Sequence, residues 1–425
     1  MKSIIQSLKG TRDFYPEAMA VRNWLYQNIA QVSASFGYQE YDGPFLESID
    51  LYAAKSGEEL VKEQSFVFPD RGGDLITLRP ELTLSLARMI AQRQRQLVFP
   101  LRWWSFGPFW RYERPQKGRT PEFFQWNADL IGVDNPEADA ENIALIASFF
   151  QRVGLTPDDV VILVNNRRLL DAQLQNAGIP LEQKPAVSRW IDRRDKLSST
   201  DWELYGGEIG LSPSQITAMK SMLGNQNLWQ QSEELVRLFA AAGPMGITPY
   251  LRYDPGIVRG LDYYTGTVFE AQESRGDIRR AILGGGRYDN LVADVGGDPL
   301  PGIGFAMGDV VISLILESKN LVPANVGAYP APVLVTVFDQ QRLPASIILA
   351  AALRQAGINT NLYPEIAKLP KQFKYADRLG IRLAAVIGPD EEAQGLVTIK
   401  NLSDGTQVTL PTGQAPAAIQ QMLAR

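Results

Sequence analysis

Phe106–Gly132, FGPFWRYERPQKGRTPEFFQWNADLIG, decides the fold of this chain, because it reads as strand, loop and strand. The first arm, from about Leu101 to Tyr112, carries Trp103, Trp104, Phe106, Phe109 and Trp110, the aromatic density of a strand packed on both faces. The middle, Glu113 to Pro121, holds turn formers and three cations and predicts a loop. From Phe123 to Ile131 the chain turns apolar again. An arginine ending one strand, cations in the loop and an aromatic on the return strand suit a nucleoside triphosphate. Guanidinium forks take phosphate oxygens and a ring takes the base. On charge alone, a solvated basic hairpin is an equal reading.

Composition bounds the rest. A chain of 425 residues with 45% apolar side chains can fill two or three cores. It has no apolar run of about 18 residues, so no membrane span is expected. Met1 to Lys9 holds no apolar stretch of signal-peptide length, and a cytoplasmic location is the default expectation. There is no cysteine and no histidine. Disulfides, thiolate zinc sites, imidazole ligands and the usual general base are therefore excluded. Chemistry must rest on positioning and electrostatics from arginines, carboxylates and bound Mg²⁺. The net charge of −5 gives no global attraction to nucleic acid, so such a partner would be held by local patches.

Upstream of the hairpin, Lys9–Pro16 reads as a polar turn into a helix whose inward face is Val21, Leu25, Ile29, Val32 and Phe36, with Gly37 as its stop. A short strand follows and closes at Pro44. Asp74–Glu81 predicts a strand entering a helix near Pro80, with Glu81 and Thr83 in the first turn, where an acid is favoured by the helix dipole. Downstream, Glu137 to Val153 predicts a helix stopped by Gly154, and Leu155 to Pro249 is mostly helical. Two glycine-crowded strings then follow, Gly284-Gly-Gly-Arg287-Tyr-Asp289 and Gly302–Gly308. They allow either a ligand or a packed neighbour to approach the backbone. Past a linker from Glu317 to Pro332, strands and helices alternate as in a mixed α/β unit. From Ala331 onward nine Lys and Arg stand against seven Asp and Glu. Lys368, Lys371 and Lys374 fall on successive turns of a helix predicted from Leu369 to Leu379, giving either a solvated face or a nucleic-acid contact.

RYERPQKGR followed by FFQWNADLIG resembles motif 2 of class II aminoacyl-tRNA synthetases and, more narrowly, the histidyl-tRNA synthetase family. Four further strings carry the same resemblance: the helix–strand–proline unit ending at Pro44, TLRPE at Thr77–Glu81 with Thr83, VRGLDYY from Val258 with TVFE after it, and LPKQFKYADRLG from Leu369. The resemblance implies an α+β fold with a six-stranded antiparallel class II core over residues 1–155 and 250–322. It also implies a helical insertion over 156–249 and a C-terminal α/β anticodon-binding domain over 323–425. The implied activity is a cytoplasmic, homodimeric ligase that joins histidine to tRNA(His), with ATP as substrate, Mg²⁺, no zinc and no membrane. By the same resemblance, Arg111 and Arg259 act on the α-phosphate, and Glu113, Arg119 and Phe123 hold ATP. Glu81, Thr83 and Gln125 take the amino group of histidine, Asp129 and Tyr264 its imidazole, and Tyr263 also belongs to the histidine site. Gln116, Lys117, Lys368, Lys371 and Lys374 face tRNA.

One departure stands out. The family's motif 3 ends in Gly-x-Glu-Arg, whereas this chain has Gly308-Asp-Val-Val311, leaving Arg287 or Arg275 as replacements for the missing cation. Two rival functions follow the same fold: a regulatory subunit of ATP phosphoribosyltransferase, and a tRNA-binding sensor without chemistry. The motif 2 cations and the C-terminal domain weigh against the first.

Overall fold

The computed structural model describes residues 4–53, 64–112, 118, 120–258, 263–275 and 280–424. The chain divides into two compact units, Met1–Pro323 and Ala324–Arg425.

The first unit holds eleven of the strands, in chain order β1 (Gln39–Glu40), β2 (Leu46–Ser48), β3 (Val67–Pro69), β4 (Leu75–Leu78), β5 (Leu101–Trp110), β6 (Glu122–Ile131), β7 (Val160–Asn166), β8 (Leu251–Tyr253), β9 (Thr267–Glu273), β10 (Leu283–Tyr288) and β11 (Gly302–Gly308). Eight of these form one sheet in the order β1-β5-β6-β11-β10-β9-β7-β8. The six inner strands, β5 to β7 in that order, pair antiparallel throughout. The short edge strands β1 and β8 pair parallel to β5 and β7, so the expected six-stranded core is widened by one strand at each side. β2, β4 and β3 form a separate small sheet.

The hairpin β5–β6 sets the register. Leu101 faces Ile131 and Phe109 faces Phe123, and the Arg111 N–H donates to the Pro121 carbonyl at the mouth of the loop. Period-2 alternation then sorts β6 into two faces. Trp126, Ala128 and Leu130 enter the main core with Leu25, Ile29 and Val32 of the helix Pro16–Ser35 and with Ile143, Ile146 and Phe150 of the helix Pro136–Arg152. Asn135 caps the second of these helices by accepting from the Ala138 N–H at 2.7 Å. The opposite face of β6 presents Phe123, Gln125, Asn127 and Asp129.

The stretch expected to be a helical insertion contains more than helices. Its first strand, β7, is buried along its whole length and belongs to the main sheet. The helices Arg167–Asn176, Lys184–Asp192, Ser199–Glu208, Pro213–Gly224 and Glu233–Ala242 follow, so the helical part begins after Asn166 and not at residue 156. Trp190 and Trp202 stack at 4.0 Å with nearly parallel rings, each indole N–H donating to the other's carbonyl.

The second unit adds β12 (Val333–Val335), β13 (Thr360–Leu362), β14 (Leu383–Val386), β15 (Leu396–Asn401) and β16 (Gln407–Pro411) in the order β13-β12-β14-β15-β16. The first three pair parallel and the last two antiparallel, a mixed α/β sheet packed on helices that bury Leu349, Leu353 and Ile419. The helix expected over Leu369–Leu379 is Leu369–Arg378, with Lys368 at its N-cap.

Candidate active site

The uncovered face of β6 becomes a site because its neighbour β11 is nearly bare. Gly304 pairs with Asp129 and Gly308 with Gln125. A Cβ on Gly304 would run into Asp129 Oδ1, so glycine is what leaves that carboxylate room. A cavity of about 40 Å³ lies here, lined by Glu81, Asn127, Asp129, Tyr263, Tyr264 and Tyr288 among others. Asp129 is buried, and the Tyr288 hydroxyl donates to its Oδ1 at 2.7 Å. Burial pushes the Asp129 carboxyl up to about 7, and the Tyr288 hydrogen bond partly opposes that rise. Burial likewise raises the hydroxyls of Tyr263, Tyr264 and Tyr288 above the ordinary tyrosine value, so all three stay protonated as hydrogen-bonding groups.

Glu81 enters from another direction. The helix expected to start near Pro80 starts at Thr83, with Leu82 as an N-cap that offers no side-chain cap. Glu81 therefore precedes the helix and is no first-turn acid. Its buried carboxylate accepts from the Tyr263 hydroxyl at 3.2 Å and faces the cavity. One cavity thus gathers two buried carboxylates, three tyrosine hydroxyls and Thr83, a set fit for a small ligand bearing cationic or N–H groups.

Arg111 and Gln125 line this cavity and also a larger one of about 200 Å³, whose wall includes Gly118, Phe123, Gly308 and Val311. The Arg111 Nε donates to the Pro80 carbonyl at 3.0 Å, and its guanidinium stands 5.3 Å from the Phe123 ring centroid. Pro80 is itself held by its neighbour. Arg79 is fully buried between the Phe45 and Phe109 rings, 4.6 Å from each centroid. It donates through Nη1 to Asp42 at 2.5 Å and through Nε to the Pro108 carbonyl at 3.0 Å. A third opening, about 660 Å³, lies on the far side of Tyr264 and carries Arg167, Lys184, Arg189, Arg193 and Lys196.

Of the residues singled out in the sequence, Glu81, Thr83, Arg111, Gln125, Asp129, Tyr263 and Tyr264 meet at the smaller cavity and Phe123 at the larger. Glu113, Gln116, Lys117, Arg119 and Arg259 lie outside the described residues. Arg287 is no replacement for the motif 3 cation. It is buried and spent on Asp139, with its Nη1 on the Val133 carbonyl at 3.0 Å. Arg275 is exposed just beyond β9. Lys371 pairs with Glu365, and Lys368 and Lys374 are exposed. The sequence reading passed over Asn127, Tyr288 and Arg79. The period-2 pattern from Phe123 to Asp129 contains Asn127, whereas no local signal in the strings around Tyr288 and Arg79 marks either residue.

The site therefore joins a cavity of about 200 Å³ to a smaller carboxylate-lined one across a shared arginine on an antiparallel sheet. A family model described as Histidyl-tRNA synthetase matches residues 10–309, and one described as Anticodon binding domain matches residues 332–422. The chain is 37% identical to a histidine–tRNA ligase of Opitutus terrae, with 99% of each chain covered. It is 39% identical to the chloroplastic/mitochondrial histidine–tRNA ligase of Arabidopsis thaliana, over 94% of this chain and 83% of that one. The crystal structure of histidyl-tRNA synthetase from Nostoc sp. PCC 7120 superposes with a TM-score of 0.83 at 25% identity, covering 99% of this chain and 100% of that one. The chain belongs to the histidyl-tRNA synthetase family.

Proposed function

We propose that this protein is a histidine–tRNA ligase whose two shared cavities are its histidine and ATP sites. The observation that carries the reading is the junction at Arg111 and Gln125, where a carboxylate-lined cavity opens into one walled by an aromatic ring. ATP enters with Mg²⁺ on its phosphates. The histidine carboxylate oxygen attacks the α-phosphorus, the bond to the β-phosphate oxygen breaks, and pyrophosphate leaves. A ribose hydroxyl of the terminal adenosine of tRNA(His) then attacks the activated carbonyl and AMP leaves. With no histidine in the chain, the rate comes from alignment and charge.

Arg111, fixed by the Pro80 carbonyl, takes the α-phosphate, and Arg259 opposes it. Phe123 stacks on adenine, Glu113 reads its amino group and Arg119 takes the outer phosphates. Glu81, Thr83 and Gln125 receive the ammonium, while Asp129, Tyr263 and Tyr264 receive the imidazole. Tyr264 borders both the histidine cavity and the five-cation opening, whose charge suits the acceptor end of tRNA. Gln116, Lys117, Lys368, Lys371 and Lys374 are the further tRNA contacts.

The working form is a homodimer in the cytoplasm. Phe45, Leu46, Val67, Phe68 and Leu75, all exposed on or beside the small sheet, supply an apolar face for a second copy. Histidine-dependent ATP–pyrophosphate exchange tests the reading. Exchange that requires histidine is expected, and its absence in the purified protein would overturn it. Arg259→Ala should lose about a hundredfold in the rate of exchange, with little change in the KM for histidine.

A further inference from the structure

A triphosphate brings several negative charges, and among the described residues lining the larger cavity the only cation is Arg111; Arg119, assigned above to the outer phosphates, lies outside the described residues. Arg111 sits at the junction with the histidine cavity, which is the α-phosphate end. The far rim is built from Gly118, Ala281, Val310 and Val311. Val311 offers a methyl group at this rim, and Arg287 is locked against Asp139 on another surface of the sheet.

Gly118 shows what covers that rim. It has a φ of +83°, and a Cβ built on it would lie 3.2 Å from Arg280 Cδ, 3.8 Å from Arg280 Nε and 3.4 Å from Val311 Cγ2. The Arg280 stem and a Val311 methyl thus both close on Gly118. Ala281, Ile282 and Leu283, the residues that follow it, all line the same cavity. A second source of positive potential faces the rim. The helix Asp309–Ser318 begins there from Gly308 with no side-chain cap. Its first carboxylate, Asp309, is already held by Arg12 at 2.9 Å and by the Phe124 N–H at 2.9 Å, which keeps that negative charge tied down.

We infer that Arg280 is a nucleotide-binding residue, contacting the outer phosphates of ATP alongside Arg119 from the segment leading into β10 and standing in for a cation absent from position 311. This rests on the ATP site proposed above. The valine is then the complement of the substitution: a second arginine at 311 would place two like charges on one rim, whereas a methyl gives the Arg280 stem a surface to lie on.

The test is steady-state exchange on the full chain with Arg280→Ala and Arg280→Lys. Arg280→Ala should raise the KM for ATP by about tenfold to a hundredfold, the size of one charge-assisted contact, and leave the KM for histidine unchanged. Affinity for a non-hydrolysable histidyl-adenylate analogue, which has no outer phosphates, should hold. Arg280→Lys should lie between the two, and Val311→Arg in the Arg280→Ala background should restore much of the ATP affinity. An unchanged KM for ATP in Arg280→Ala overturns the inference, and so does an equal loss for the adenylate analogue. Unchanged histidine affinity and thermal melting serve as folding controls. Failure of the wild-type protein to exchange at all would instead overturn the parent reading.

Discussion

The histidine-side and nucleotide-side cavities share Arg111 and Gln125 but are built in different ways. The first is small and has a floor of strands, where Asp129, Tyr288 and Gly304 hold one another across β6, β10 and β11, while Glu81, Tyr263 and Tyr264 close it from outside the strands. The second is five times as large and owes its walls to a hairpin loop, a helix start and the strand entrance near Arg280. On the proposed reading, the carboxylate that tells one ring from another, Asp129, sits where backbone pairing leaves no slack. Groups that meet a flexible triphosphate sit where loops meet.

The most severe way to break this comparison is to attack the frame common to both sides. Arg287→Met strands a buried Asp139 carboxylate, whose removal from its partner costs about 3–5 kcal/mol of stability. A large fall in the denaturation midpoint is expected, with the KM for ATP in the surviving folded protein unchanged. A raised KM for ATP would return Arg287 to the nucleotide site.

Next in size, Gly304→Ala should disable one cavity and spare the other. The added methyl displaces the Asp129 carboxylate, and kcat/KM for histidine should fall about a hundredfold. ATP binding, measured directly, should stay within about twofold, since no shared charge–phosphate contact is lost. Equal damage to both would show that the two cavities are one mechanical unit.

A smaller and more informative change is Tyr288→Phe. It removes the hydrogen bond that holds the Asp129 carboxyl down, so the value of about 7 rises further. Ionised Asp129 accepts from the imidazole, so the acid limb of kcat/KM should move to higher pH by up to about one unit. A histidine analogue with a different ring pKa separates the two titrating groups. A limb belonging to Asp129 stays, and a limb belonging to the substrate moves with the analogue. The ligand-free protein carries the same sign. Asp129 is raised on folding, so the stability it contributes is complete below its unfolded value of about 4 and is lost as pH climbs through about 7. Asp129→Asn should flatten that slope in a pH series of thermal melts.

Smallest of all, Lys368→Ala with Lys374→Ala should weaken charging of tRNA about twofold to fivefold, more at low salt, and leave pyrophosphate exchange untouched. No change in charging at any salt would remove that helix from the tRNA surface.

The fold class could be read because the hairpin announces itself locally: aromatic arms, a cationic turn, and a return strand whose alternation survives into the structure. The grouping of Glu81, Gln125, Asp129 and Tyr264 was legible only through a resemblance, since no local pattern joins a helix start, a strand and a loop. What escaped depends on distant partners. β7 looked like part of the insertion because a strand's propensity does not name its sheet. Arg287 looked available because Asp139 lies far away in sequence. The helix start moved from Pro80 to Thr83 because the Glu81 carboxylate serves a cavity and caps no helix.

Asp129, Tyr263, Tyr264 and Tyr288 line the cavity proposed for the histidine ring, in a chain that has no imidazole of its own. Even with the protein itself ¹⁵N-labelled and ¹⁵N-labelled histidine bound, every imidazole-nitrogen resonance would therefore report the substrate alone. Tautomer, charge and the identity of the hydrogen-bonded nitrogen could be followed by magnetic resonance across a pH series in the unmodified wild-type protein.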